Sequence, residues 1–155
     1  GWVRVDTKTP IIAGDIIKMS KSKRNTVDPT DLMDTYGIDA ARLFVMSDSP
    51  PDKDFEWTTA GIDGAWRFVN KVYRLVLDAL PLVAAHGTAQ PAALSELATA
   101  LRKLTHRTIV AFSEGVEAFR FNGAIARLRE FVNALAIRAT DDATLRWAQR
   151  EAIET

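Results

Sequence analysis

Residues 58–80 read TTAGIDGAWRFVNKVYRLVLDAL, and this stretch decides the fold class. Apolar side chains recur in it at three- and four-residue spacing, the period of one face of an α-helix. Thr58 or Thr59 supplies a hydroxyl of the kind that caps a helix N-terminus. The stretch therefore predicts a long amphipathic helix that packs against other helices. The apolar stripe consists of Ile62, Ala65, Trp66, Val69, Tyr73, Val76, Leu77 and Leu80.

Three further helical patterns come after this helix and predict an antiparallel bundle over residues 58–155. The first connection contains Pro81, Gly87 and Pro91, and the second is residues 119–123, where Asn-Gly is typical of a turn. Asp141 or Asp142 caps the last helix. The residues predicted to point inward are Leu94, Leu97, Leu101, Leu104, Thr108, Phe112 and Val116, then Ile125, Leu128, Val132 and Leu135, then Leu145, Ala148 and Ala152.

The two ends of the chain indicate a piece of a longer protein. The first residue is Gly1 instead of Met, and residues 146–155 still read as helix without a terminating Gly or Pro. We therefore expect the bundle to be truncated at its C-terminus. A truncated bundle exposes part of its intended core and predicts apolar surface or self-association.

Residues 1–57 predict a small α/β appendage in front of the bundle. Apolar and polar residues alternate from Trp2 to Val5, which is typical of a strand. The isoleucine pairs at 11–12 and 16–17 flank residues 13–15, so short strands around a turn are predicted there. Asp28-Pro29 begins a short helix that ends at Gly37, and a second runs over 39–46. Adjacent prolines in residues 49–54 cannot continue a helix, so the boundary with the bundle lies there.

A basic run, KMSKSKRN at residues 18–25, lies within the appendage. Its lysines cannot share one face of a helix or strand, and its serines compete with the backbone for hydrogen bonds, so it predicts a loop. Clustered ammonium groups and hydroxyls suit a polyphosphate, with the serines either orienting a phosphate oxygen or capping the loop's own turns. The alternatives are a solvated basic loop and a nucleic-acid patch.

Composition narrows the function classes. The 155 residues carry 20 basic and 20 acidic side chains, so no overall field steers the chain onto RNA. The absence of cysteine excludes disulfides, thiolate nucleophiles and Cys-ligated zinc, and no apolar run is long enough to span a membrane. His86 and His106 have no partners at metal-ligand spacing, so no metal site is predicted.

The order of residues in the basic run carries a resemblance to a known family. Lys18-Met19-Ser20-Lys21-Ser22 matches at all five positions the KMSKS signature of class I aminoacyl-tRNA synthetases. The residues after this signature are similar to those of the leucyl enzymes in particular, while Arg24 departs from the Gly or Lys common there. The residues that carry this further resemblance are Lys23, Asn25, Val27-Asp28-Pro29, Tyr36-Gly37, Ala41-Arg42-Leu43-Phe44, Pro50-Pro51, Asp54, Glu56-Trp57, Arg67-Phe68 and Asn70.

The resemblance implies leucine activation with ATP and Mg²⁺, followed by transfer to tRNA(Leu). It makes residues 1–57 the end of a catalytic domain and residues 58–155 an anticodon-binding-type bundle of a monomeric cytoplasmic enzyme. Leucine is then bound mostly by a catalytic domain outside this chain. The resemblance implies that the chain by itself is inactive. The implied ATP contacts are Lys18, Met19, Ser20, Lys21 and Ser22, with Lys21 and Lys18 catalytic, and the implied tRNA contacts are Lys23, Arg24, Arg67, Asn70, Lys71 and Arg74.

Several alternatives stay open at this point. The chain also suits the same region of an isoleucyl, valyl or methionyl enzyme, or a non-enzymatic helical RNA-binding module whose loop matches by accident. The stripe of Arg67, Asn70, Lys71 and Arg74 is either a solvated helix face or a tRNA contact. Arg42 is either a buried partner of an acidic neighbour under the loop or a surface cation.

Overall fold

A computed structural model describes residues 2–12 and 14–155; Ala13, in the predicted turn at 13–15, lies outside these ranges. Within them the chain forms one short hairpin, a single 3₁₀ turn at Lys21–Lys23 and six α-helices, so the mainly α prediction is confirmed. The strands are β1 Trp2–Val3 and β2 Pro10–Ile11. The helices are α1 Pro29–Tyr36, α2 Ile38–Asp48, α3 Thr59–Ala79, α4 Glu96–Glu117, α5 Phe121–Ala134 and α6 Ala143–Glu154.

The starts of α1, α3 and α6 agree with the predicted capping residues. Asp28 Oδ1 accepts the Thr30 N–H at 2.8 Å in front of α1, and Thr58 Oγ1 accepts the Gly61 N–H at 3.1 Å in front of α3. Asp142 Oδ1 accepts the N–H groups that open α6 at 2.9 and 3.1 Å. These side chains satisfy backbone donors that have no partner within the helix, which is why each helix begins where it does.

The hairpin differs from the predicted strands. β1 and β2 pair antiparallel with Trp2 opposite Ile11, and the chain reverses at residues 5–7. An Arg4–Asp6 ion pair at 2.9 Å lies at that reversal, and the Arg4 N–H bonds to the Thr9 carbonyl at 2.9 Å. The prediction of a strand at residues 16–17 was wrong, because the hairpin completes its pairing at Ile11 and residues 14–20 have no regular structure.

An aromatic cluster joins α2 to α3. Phe44, Ile62 and Ala65 are buried together, and Trp57, from the segment between the helices, packs against them. The ring of Phe44 meets the ring of Trp57 edge-on at 5.0 Å, an arrangement favoured by the quadrupoles of both rings. The helices that come after the basic run are therefore anchored to the first helix of the predicted bundle.

A second cluster joins α4 to α6. Ala98, Leu145, Trp147 and Ala148 form its buried part. The connection between α3 and α4 lies against α6, where Trp147 Nε1 donates to the Thr88 carbonyl at 3.0 Å. This connection thus shares one core with α4 and α6. No helix in the described part of the chain is long and apolar enough to cross a membrane.

A charged pair reinforces the α4–α6 contact. Arg102 donates to both carboxylate oxygens of Glu151, at 2.8 and 3.1 Å, and the Arg102 guanidinium lies 5.2 Å from the centre of the Trp147 ring. Despite partial burial, which raises the pKa of Glu151, the hydrogen bonds from Arg102 and His106 leave that pKa below its usual range. The carboxylate is therefore stabilised in its charged form.

The predicted inward faces were correct for α5 and only partly correct for α3 and α4. On α3, Trp66 is 43% exposed and Tyr73 is 64% exposed, although both lie on the predicted stripe. Small residues let helices approach closely, and Gly115 on α4 lies against Ala124 on α5. The buried residues of α4 are accordingly small: Ala98, Thr105 and Gly115. The predicted core residues that are exposed are Trp66, Tyr73, Leu77, Leu80, Leu97 and Val116.

The break between α4 and α5 also lies elsewhere than predicted. Asn122-Gly123 belongs to the first turn of α5, and the chain turns at Phe119, whose φ is +56°. The Phe119 N–H bonds to the Val116 carbonyl at 3.0 Å and the Arg120 N–H to the Gly115 carbonyl at 2.7 Å. These two bonds form a Schellman motif, which ends α4 with Phe119 in the position usually taken by glycine.

Candidate functional site

The basic run forms a loop, as predicted, with one 3₁₀ turn at Lys21–Lys23. Ser20 Oγ accepts the Lys23 N–H at 3.3 Å and lies 3.2 Å from Ser22 Oγ. Ser20 therefore caps the turn, which is the second of the two roles considered for the serines. The hydrogen-bonded turn fixes the backbone from Lys21 to Lys23, and with it the positions from which the two lysine side chains extend.

The side-chain amide of Asn25 closes the loop. Its Oδ1 accepts the Ser20 N–H at 2.8 Å, and its Nδ2 donates to the Lys18 carbonyl at 3.4 Å. These are the two peptide groups on either side of Met19, so the amide pairs with the backbone much as a neighbouring strand would. Sequence reasoning assigned Asn25 no structural role. The available signal was that an asparagine carries a donor and an acceptor on one short side chain.

Arg24 lies between the 3₁₀ turn and Asn25 in the left-handed region, with φ 52° and ψ 34°. Its N–H bonds to the Lys21 carbonyl at 3.2 Å. Such a conformation costs a residue other than glycine roughly 1–2 kcal/mol, so the surrounding hydrogen bonds must stabilise it. The left-handed turn directs the chain back and brings Asn25 over Met19.

The cations of the loop are accessible. Lys18, Lys21, Lys23 and Arg24 are all exposed, and none of them forms a salt bridge with any carboxylate in residues 2–12 or 14–155. Clustered ammonium and guanidinium groups repel one another unless an anion is bound between them. The arrangement therefore suits a ligand with several negative charges, such as a polyphosphate.

Met19 faces an apolar cavity and is itself 41% exposed. Its side chain lines a cavity of about 400 Å³ between the loop, α1, α2 and Trp57. The lining is almost wholly apolar, so the cavity does not suit a phosphate group. Arg42 lies at this cavity but is exposed, and within the described ranges it pairs with no carboxylate, so the surface-cation interpretation holds. The remaining lining residues are Val27, Pro29, Leu32, Met33, Ile38, Ala41, Val45 and Met46.

The second predicted set of residues comes together on α3. Arg67, Asn70, Lys71 and Arg74 line one groove of about 360 Å³. Lys71 Nζ reaches across to Asn133 Oδ1 on α5 at 2.5 Å, and the Asn70 amide donates to the Trp66 carbonyl at 2.9 Å. The groove thus holds three cations beside the carboxylate of Asp78, while Lys23 and Arg24 belong to the loop and do not line it.

The two histidines pair with carboxylates. His86 Nδ1 lies 3.0 Å from Glu154 Oε1, and His106 Nε2 lies 3.3 Å from Glu151 Oε1. Each contact joins α6 to a neighbouring element. Among the described residues no group of three or more His, Cys, Asp or Glu side chains is arranged to hold a metal ion.

Known proteins share this loop and the helices behind it. A family model described as tRNA synthetases class I (I, L, M and V) matches residues 3–58. A leucine–tRNA ligase of Rhodospirillum centenum is 50% identical in a match that covers 98% of this chain and 19% of that protein. One of Paramagnetospirillum magneticum is 47% identical, with 98% of this chain and 17% of that protein covered. The chain thus spans less than a fifth of the length of these relatives.

A solved structure has the same fold. It is the ternary complex of an Agrobacterium radiobacter LeuRS with tRNA and LeuAMS, which superposes with a TM-score of 0.73 over 86% of this chain and 18% of that one. At 23% sequence identity the match supports the architecture of the helices. Most of the chain therefore forms an arrangement that recurs in a solved structure.

Proposed function

The chain belongs to the leucine–tRNA ligase family, with 43–50% identity to relatives over nearly its whole length, and we propose that it serves leucine activation as part of such an enzyme. In that reaction the leucine carboxylate attacks the α-phosphorus of ATP, the bond to the β-phosphate oxygen breaks, and pyrophosphate leaves. The leucyl group of the adenylate then passes to tRNA(Leu), and AMP is released. The loop geometry, with its exposed cations, is the observation that carries this proposal.

Lys21 is our candidate for the catalytic cation. Negative charge moves onto the departing pyrophosphate in the first step, and a cation aimed at that position lowers the barrier more than it tightens ATP binding. Exposure of the Lys21 ammonium and the turn capped by Ser20 support this role. Lys18, held through its carbonyl by Asn25, assists at the phosphates.

The remaining residues proposed at the ATP site are Met19, Ser20 and Ser22, and their roles differ. Met19 packs the loop onto the apolar cavity, while Ser20 and Ser22 hold the 3₁₀ turn and offer their hydroxyls to ATP. Mg²⁺ enters with ATP, bound to the phosphates as part of the substrate. Neither transfer in the reaction needs a covalent intermediate with the protein.

We place tRNA on the groove formed by Arg67, Asn70, Lys71 and Arg74, and on Lys23 and Arg24 of the loop. Clustered cations on an exposed helix face suit the phosphates along a nucleic-acid strand. Leucine is bound mainly by the rest of the enzyme, which we propose to be monomeric and cytoplasmic. Residues 1–57 and 58–155 then act as the loop-bearing segment and the anticodon-binding-type bundle.

The test is leucine-dependent exchange of pyrophosphate into ATP by the complete synthetase that carries this chain. Leucine, isoleucine, valine and methionine are supplied separately, to wild type, Lys21→Ala and Lys103→Ala, a matched control with an exposed lysine on α4. We expect exchange with leucine, a loss of about 10² to 10³ in rate for Lys21→Ala, and wild-type rates for the control.

Two results would contradict the proposal. Exchange driven best by another amino acid would assign the chain to a sister enzyme. Absence of exchange with all four, together with salt-dependent RNA binding that Lys21→Ala leaves unchanged, would establish the non-enzymatic binding module instead.

A further inference from the structure

We propose that Asn25 is a positioning residue for the activation step, because its side-chain amide holds the backbone between the two catalytic lysines. This inference rests on the proposed function and deepens it. Asn25 itself contacts no substrate in the proposal. It acts through Lys18 and Lys21, whose relative placement depends on the backbone that the amide holds.

The hydrogen-bond pattern singles out this side chain. One amide bonds to the peptide group before Met19 and to the peptide group after it, at 3.4 and 2.8 Å. Backbone fixed on both sides of a residue has little freedom in either φ or ψ. The Lys18 carbonyl is one end of this clasp, and Lys21 comes immediately after the other end at Ser20, so both ammonium-bearing residues flank the fixed segment.

The surroundings make the clasp effective. Asn25 and Ser20 are half-buried, while the lysines that flank them are exposed. Met19, between the two bonded peptide groups, lines the apolar cavity over α1 and α2. The Asn25 amide therefore holds the segment, Met19 faces the apolar cavity and is 41% exposed, and the cationic side chains extend into solvent.

A fixed loop matters for catalysis because charge stabilisation works best when the charges are already in place before the reaction. Without the amide, Lys18 and Lys21 would have to be ordered at each turnover. A small misplacement of catalytic groups can reduce a rate by up to about 100-fold. Because the clasp acts on the loop and not on the amino-acid pocket, leucine binding should be unaffected.

A double-mutant cycle in the complete synthetase tests this role, measured as leucine-dependent ATP–pyrophosphate exchange. The variants are Asn25→Ala, Lys21→Ala and the double variant, with Asn122→Ala at the start of α5 as the matched control. We expect Asn25→Ala to lower kcat between about 10- and 100-fold with an unchanged KM for leucine. In the Lys21→Ala background the same change should have an effect of less than about threefold, because only the assisting Lys18 is then left for Asn25 to position.

Asn25→Asp provides an independent readout. Its carboxylate retains an acceptor for the Ser20 N–H but places a second acceptor against the Lys18 carbonyl. Asn25→Asp should therefore recover less than half of the kcat that Asn25→Ala loses. The positioning role would be overturned if the effects of Asn25→Ala and Lys21→Ala on kcat simply multiply in the double variant. It would also be overturned if Asn25→Ala raises the KM for leucine as much as it lowers kcat and also lowers the melting temperature. If Lys21→Ala alone leaves exchange intact, the proposed function of the loop fails first and the role of Asn25 fails with it.

Discussion

The ring of Phe44 occupies the space beside Gly61, so that a Cβ at position 61 would overlap Phe44 Cε2. Phe44 belongs to α2 and is 2% exposed, and Gly61 lies in the first turn of α3. The contact brings the helix behind the loop directly against the helix that carries the basic groove. It also explains how the loop segment is held on the rest of the described chain.

We expect Gly61→Ala to destabilise the protein by about 1–3 kcal/mol, because the added Cβ overlaps the buried Phe44 ring, which must then shift. Gly64→Ala is the matched control, since nothing lies within 4 Å of a Cβ built at position 64. Alanine is the better helix former there, and the control should be neutral or up to about 1 kcal/mol more stable. Thermal unfolding of both variants measures the difference, and equal melting temperatures would contradict the packing argument.

The cap of α6 predicts a pH dependence. Hydrogen bonds from the side chains of Ser95 and Thr144 and from the Leu145 N–H lower the pKa of Asp142 from 3.8 to about 2. A lowered pKa in the folded state means that the charged cap contributes stability above about pH 4 and loses it as the pH falls toward 2. We therefore expect wild-type stability to decrease across this window.

Asp142→Asn tests this dependence directly. Asparagine retains an acceptor for the helix N–H groups but does not titrate, so its melting temperature should change less between pH 4 and 2 than that of wild type. Asp141→Asn is the control, because the adjacent Asp141 carboxylate makes none of the hydrogen bonds of this cap. A wild-type pH profile in Asp142→Asn would contradict the assignment.

The groove on α3 predicts a salt-sensitive contact with tRNA. Arg67→Gln and Arg74→Gln in the complete synthetase should each weaken tRNA binding and reduce the slope of log affinity against log salt by about 0.7 to 0.9 for each phosphate contact removed. Arg127→Gln is the control, since Arg127 is exposed on α5 but already paired with Glu130 at 2.7 Å. Filter binding at several salt concentrations measures the slopes, and three equal slopes would mean that the groove faces solvent.

The left-handed conformation of Arg24 separates two roles of this residue. Arg24→Gly fits the same φ and ψ without steric cost, so pyrophosphate exchange should be unchanged while tRNA affinity decreases. Arg24→Val disfavours the left-handed region and should reduce exchange as well, by about tenfold, because Asn25 no longer reaches the peptide groups around Met19. Exchange and tRNA binding are measured on the same preparations. Equal exchange rates in both variants would show that the backbone conformation is unimportant.

Local sequence predicted the capped starts of α1, α3 and α6 and the signature loop, but not the start of α5. Asp28, Thr58 and Asp142 lie within three residues of the N–H groups that they cap, so their role depends on neighbours in the chain. The loop at residues 18–25 results from serines and lysines that fit no regular structure. The five-residue signature indicated the family to which the chain's relatives belong.

Tertiary packing decided which side of each helix is buried. Trp66 and Tyr73 fit an apolar stripe by spacing, yet α2 packs against the neighbouring face of α3 and leaves them exposed. Gly115 on α4 is buried because Ala124 of α5 approaches it closely. A stripe identifies an apolar surface, but the partner that covers it comes from elsewhere in the chain.

The sequence by itself thus determined the caps of α1, α3 and α6, the loop and the family, because these depend on residue order over a few positions. Only the structure showed that Asn25 holds both peptide groups of Met19 and that Phe119, not Asn122-Gly123, ends α4, because each depends on a left-handed residue other than glycine, Arg24 or Phe119. It alone also brought Lys71 of the basic groove against Asn133 of α5. The physical reason is that a hydrogen bond or a groove requires two segments at a set distance, and that distance depends on how the whole core packs.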